Sequence, residues 1–253
     1  VKDMHVDTQL EAALRALDHW PRFRLRLFFE GIIVGILSGT VISFFRWGLE
    51  MGTVWRQWVY ANVLAGGGVL INLAWFGVLL AAALLLWRLG VYEPNAGGSG
   101  IPQVKGVILG AIRMRWLRIL WVKLVGGIVG IGLGLSLGRE GPSIQIGAVT
   151  AQGLSRALGR TRMEERYLIT AGASAGLAAA FNAPLAGVMF ALEELHRNFS
   201  GVVLAPSMAA ALLATMVSRY VFGRAPVFHF GMLPPFPLRY MWIVVILGII
   251  IGL

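Results

Sequence analysis

The stretch Gly138-Arg139-Glu140-Gly141-Pro142-Ser143-Ile144-Gln145-Ile146-Gly147 decides how this chain is read. An acid flanked by glycines runs into a proline and then into an apolar helical stretch. Proline suits the first turn of a helix, where its missing N–H is not needed. Glycine permits unusual backbone angles and leaves N–H groups open. Upstream, Gly98-Ser99-Gly100-Ile101-Pro102 has the same build. Each segment predicts a helix N-terminus whose first N–H groups lack intrahelical partners. At membrane depth such groups must be satisfied. An anion is the natural partner, helped by the positive end of the helix dipole, and broken helices aimed at anionic substrates are a transporter device. The bland alternative is a kinked helix whose Gly and Pro are tolerated by its neighbours, and two segments of one build favour the anion site over it.

The surroundings of both segments are apolar. Of 253 residues, 57% are hydrophobic and 13% charged, against about 25% charged in a soluble domain. Mean hydropathy is +0.75. This excludes a disordered chain and an ordinary soluble enzyme, and the absence of cysteine excludes a disulfide scaffold. The net charge of +10 comes from 22 basic residues, 19 of them arginine, lying between apolar runs. That is the pattern of cytoplasmic loops, so no nucleic-acid partner is expected. Spans are predicted at about 27–49 and 68–89. They put Arg22, Arg24 and Arg26 on the same side as Arg113, Arg115 and Arg118, which reads as the cytoplasm with the N-terminus inside. The arginines at 156–166 are mixed with Glu164 and Glu165 and cannot be placed by charge. Residues 6–17 carry Val6, Leu10, Ala13, Leu14 and Leu17 on one face of an amphipathic helix on the membrane surface. The chain starts at Val1, so this end is read as processed or partial, and no signal peptide is expected.

Apolar runs that are short, or broken by Gly and Pro, predict an all-α integral membrane fold with broken and re-entrant helices. Gly31, Gly35 and Gly39 recur every fourth residue, as do Gly126, Gly130, Gly134 and Gly138. Each series is read as one helix face that admits another backbone. A dinucleotide loop at Gly130-Ile131-Gly132-Leu133-Gly134 is set aside, because no strand precedes it.

Ser99 offers a hydroxyl donor without charge, and equally an N-cap for its own helix. Glu140 is an acid inside the membrane, a functional hypothesis by default. Its carboxylate can occupy the anion site, and its protonation would free that site. The alternative is a salt bridge with Arg139 or another base. A third break, Phe181-Asn182-Ala183-Pro184, precedes Glu193-Glu194-Leu195-His196-Arg197. Those acids could simply pair with Arg197. Glu193-x-x-His196 has the spacing of a di-iron motif, but such sites need two copies, so no metal or other cofactor is expected. Of the four histidines, His5, His19, His196 and His229, none lies within an apolar run. An intramembrane enzyme would therefore lack its base, and no enzymatic activity is expected.

These three segments, in this order, resemble the CLC chloride channels and chloride/proton antiporters. The resemblance rests on residues 98–102, 138–142 and Ala180-Phe181-Asn182-Ala183-Pro184-Leu185-Ala186-Gly187 with the following Glu193-Glu194. It implies one half of a CLC-type inverted repeat: residues 1–26 a cytoplasmic amphipathic helix, 27–222 the first repeat, and 223–253 the inter-repeat loop and the start of the second. It implies an anion site formed by Ser99, Gly100, Ile101, Pro102 and Gly141, with Glu140 as gate and Glu194 as inner proton relay. Chloride and protons would be the substrates, the lipid bilayer the surroundings and a homodimer the assembly, with Val202 to Val221 at its interface and a bacterial inner membrane as the location. The family's channels typically carry an apolar residue where Glu194 stands, so antiport is expected. A passive channel, or a non-transporting half acting as an assembly partner, are the alternatives. No third signature of the second half is found, and His229-Phe230-Gly231 through Pro237 is read as inter-repeat loop.

Overall fold

In this computed structural model residues 2–197, 199–224 and 237–252 are described, residues 2–21 by their backbone alone. Residues 225–236, most of the expected inter-repeat loop, and the amphipathic face read at residues 6–17 fall outside what is described. Helix α1 spans Lys2–Val59 and continues through a π-helical turn, Tyr60–Leu64. It passes residue 26 without a break. Helix α2 is Val69–Tyr92, α3 Ile101–Leu109, α4 Trp116–Gly132, α5 Glu140–Ala157 and α6 Arg162–Phe181. Helix α7, Pro184–Phe190, runs on as a π-helical segment, Ala191–His196. Helix α8 is Gly201–Phe222, and α9 Met241–Gly252. Among the described residues there is no strand.

Among the described residues three helices are long and apolar enough to cross a membrane: Arg22–Leu64, Val69–Tyr92 and Gly201–Phe222. In lipid only internally satisfied backbone is tolerated, which is why apolar segments of this length must be helical. The shorter helices have clear stops. Helix α6 opens on a capping box, in which the Thr161 hydroxyl accepts from the Glu164 N–H and the Glu164 carboxylate accepts from the Thr161 N–H. It ends where Asn182 takes the left-handed conformation, φ 59°. Pro184, unable to continue the helical ladder, starts α7 instead. Helices α3 and α7 are too short to cross hydrocarbon alone, as the broken runs predicted.

Glycine sets the closest approaches. A methyl group added at Gly31, Gly35 or Gly39 would lie 2.7 Å from Pro206 O, 2.6 Å from Ala210 O or 2.7 Å from Ala214 Cα. The first glycine series is therefore the face on which α1 receives α8, as read from the sequence. The second series is not a helix face. Helix α4 ends at Gly132, and Gly134 is a left-handed loop residue at φ +101°. Gly126 and Gly130 meet only ordinary side-chain contacts, while the close approaches fall on Gly127, against the Phe45 ring, and on Gly132, against the Gly52 backbone of α1. The four-residue period crosses a helix end, beyond which spacing no longer defines a face. A third set, unremarked in the sequence, brings α5 and α6 together: a methyl at Gly147 would strike the Gly172 carbonyl, and one at Gly176 the Ser143 carbonyl.

The core lies where α1, α5, α6 and α8 meet, with Phe45, Ile146, Leu168 and Ala210 buried together. One end of this bundle is tied by charge. Arg160 pairs with Glu30, and Arg26 with Glu164. Arg156 pairs with Glu165 at 3.2 Å and donates to Met114 O at 3.5 Å. The 156–166 connection, which charge alone could not place, therefore sits with Arg22–Arg26 and Arg113–Arg115.

Candidate anion site

Gly100 caps α3 from the left-handed region, φ +88°, and a methyl there would overlap the buried Gln145 side chain of α5. Only glycine fits both the angle and the space. Helix α5 begins at Arg139 as N-cap, so Glu140 and Gly141 are its first two residues and Pro142 its third. A methyl on Gly141 would lie 2.8 Å from Ser99 Cα. The two glycine-proline segments are thus in van der Waals contact at their N-terminal ends. Between them opens a cavity of about 560 Å³, lined by Gly98, Ser99, Lys123, Glu140, Gly141 and Pro142 together with apolar residues of α2 and α4.

Three side chains hold the first loop by its carbonyl groups. Gln145 donates to Asn95 O at 2.8 Å, Gln103 to Gly97 O at 3.1 Å and Lys123 to Gly98 O at 2.7 Å. With these carbonyls engaged the loop is fixed in place, and Ser99 lines the cavity. The Ile101 N–H approaches Ser99 Oγ at 3.4 Å, but the N-cap of α3 is Gly100, so Ser99 stands one residue before the cap position read for it. Gly100, Ile101 and Pro102 do not line the cavity; they form the first turn behind it. Glu140 makes no ion pair with any described residue, Arg139 included, although both sit at the mouth of α5. Its carboxyl group folds back against Gly138 at the edge of the cavity.

Glu194 stands apart from this cavity. It lies in the π-helical segment after α7 and pairs with Lys105 of α3 at 2.7 Å, not with Arg197. His196 packs against α6, stacked on Tyr167 and within 3.1 Å of Thr170 Oγ1. Lys123 and Gln145 carry structural roles that no assignment from the sequence gave them. The signal was present for Lys123, the sole charge between Ile119 and Leu137, since an ionisable residue inside an apolar run is seldom without function.

The family described as "Voltage gated chloride channel" matches residues 77–253. The H(+)/Cl(-) exchange transporter ClcA of Yersinia pseudotuberculosis is 33% identical over 242 residues, covering 94% of this chain and 51% of that protein. ClcA of Salmonella schwarzengrund is 34% identical over 246 residues, with the same coverage. The solved structure of a slow cyanobacterial Cl-/H+ antiporter superposes with a TM-score of 0.77 at 32% identity, over 90% of this chain and 54% of that one. A CLC-type fluoride/proton antiporter superposes at 0.68 and 25% identity. The chain spans about half the length of the curated relatives it matches.

Proposed function

Because this chain belongs to the voltage gated chloride channel family, we propose that it supplies one half of a chloride/proton antiporter. Ser99 and the N–H groups at the starts of α3 and α5 hold the anion. The Glu140 carboxylate competes for those N–H groups and leaves them when protonated. Glu194 takes up protons at the cytoplasmic end. The observation that carries this reading is the convergence of the loop leading into α3 and the first turn of α5, with Ser99 and an unpaired Glu140, on one cavity. The helix dipoles favour negative charge there, and an anion and a carboxylate are alternative occupants. The remainder of the pathway comes from the other half of the transporter. The exposed Leu212, Met216 and Tyr220 of α8 give a homodimer its surface, and a bacterial inner membrane is its setting.

The deciding experiment is chloride efflux measured together with proton uptake, on the full-length transporter, both halves present, reconstituted in liposomes. Glu140→Ala should let chloride move passively, without proton countermovement and with little dependence on pH. Intact proton coupling in Glu140→Ala would overturn the reading. A purely structural Glu140 would instead give poor expression, with coupling unchanged in the surviving protein.

A further inference from the structure

Helix α3 carries two things. Its N-terminal end is the anion loop, and one turn on, four residues after Ile101, stands Lys105. Lys105 Nζ donates to Glu194 Oε1 at 2.7 Å, across 89 residues of chain. Neither side chain is deeply buried, at 24% and 47% exposed. A half-exposed pair of this kind adds little to fold stability; its consequence is local, in the charge state of the acid. We propose that Lys105 is a positioning residue for proton uptake, whose ammonium binds the Glu194 carboxylate and keeps it turned toward the helix that bears the anion loop. This rests on the reading of Glu194 as the proton relay.

The groups facing Glu194 support this. From α3 it meets Lys105, the only charged residue of that helix. Its own segment contributes Glu193, His196 and, just beyond, Arg197. Helix α6 brings Tyr167 against His196, with Arg166 near the same ring. Helix α8 carries ionisable side chains only in its last turns, Arg219 and Tyr220, at the far end from Glu194. Lys105 is thus the cation in direct contact. Its hydrogen bond and its charge hold the Glu194 carboxyl below the usual carboxylate range, with Arg197 a smaller contributor. A depressed acid accepts protons only at lower pH. Proton-coupled flux through Glu194 should therefore rise as pH falls, with a midpoint set by Lys105.

The test is chloride-driven proton uptake into liposomes as a function of pH on the Glu194 side, for the unmodified protein, Lys105→Met, Lys105→Arg and Glu194→Gln. Lys105→Met should move the midpoint to higher pH while chloride flux persists. Lys105→Arg, which keeps the charge, should leave the midpoint near its original place. Lys105→Gln replaces Lys105→Met if the latter does not fold, with the same expected shift. An unchanged midpoint in the neutral variant, with proton uptake abolished in Glu194→Gln, overturns the role of Lys105 and leaves the relay standing. Proton uptake that survives in Glu194→Gln overturns the relay itself, and with it the role given to Lys105.

Discussion

Ser99 and Gly141 show how little room the candidate site leaves. Ser99 is an exposed hydroxyl at a helix start, held by a loop whose carbonyls are engaged by Gln103, Lys123 and Gln145. Replacing it with proline removes the hydroxyl donor and the backbone N–H together. The resemblance, in which nitrate-selective members carry proline at this position, implies that Ser99→Pro should raise nitrate preference over chloride in liposome flux assays; unchanged relative permeation would remove Ser99 from the ligand set. Gly141→Ala adds a methyl 2.8 Å from Ser99 Cα, against backbone that cannot yield as a flexible side chain would. Chloride flux should fall at least tenfold, the scale on which small displacements of binding groups act. Ser99 and Glu140 were legible as candidates from the glycine-proline pattern, because a helix start in lipid needs a partner, whereas Gly141 came from the family resemblance. The contacts of Lys123 and Gln145 were not, since they run to backbone oxygens far along the chain.

At the scale of the elements, helix contacts here are set by where backbones touch. Gly35→Ala puts a methyl 2.6 Å from Ala210 O. Overpacking of this kind costs about 1–3 kcal/mol, so the midpoint of thermal unfolding in detergent should drop. Gly77→Ala on α2 is the control, because nothing lies within 4 Å of the added methyl; its unfolding midpoint should be unchanged or slightly higher. The first glycine series was readable because its whole length lies inside one helix. The second was misread because helix α4 stops at Gly132, and periodicity holds only as far as the helix does.

At the scale of the molecule, charge gathers at one end. Arg160 pairs with Glu30, whose side chain is 6% exposed, and Arg26 stands 4.0 Å from the same acid. Arg160→Ala leaves a buried carboxylate with a weaker partner. Losing one member of a fully buried pair costs about 3–5 kcal/mol; with Arg26 still near, about 1–3 kcal/mol is expected, read as a lower unfolding midpoint. The gathering of Arg22–Arg26, Arg113–Arg115 and residues 156–166 at that end also predicts an orientation. The chain has no cysteine, so single introduced thiols report it cleanly. In intact cells an impermeant maleimide should label Ala65→Cys, between the first two spans, and spare Arg162→Cys; the reverse pattern would invert the topology.

The sequence by itself determined the membrane-spanning class, the three helix breaks and the residue types at the two glycine-proline helix starts. Those properties follow from local chemistry: apolar run length, proline's missing N–H and glycine's backbone freedom. Only the tertiary structure decided that the two loops share one cavity, that Glu194 meets Lys105 rather than Arg197, and which end holds the 156–166 connection. Each is a contact between segments tens of residues apart, and its partner is chosen by how helices pack, which no local pattern encodes.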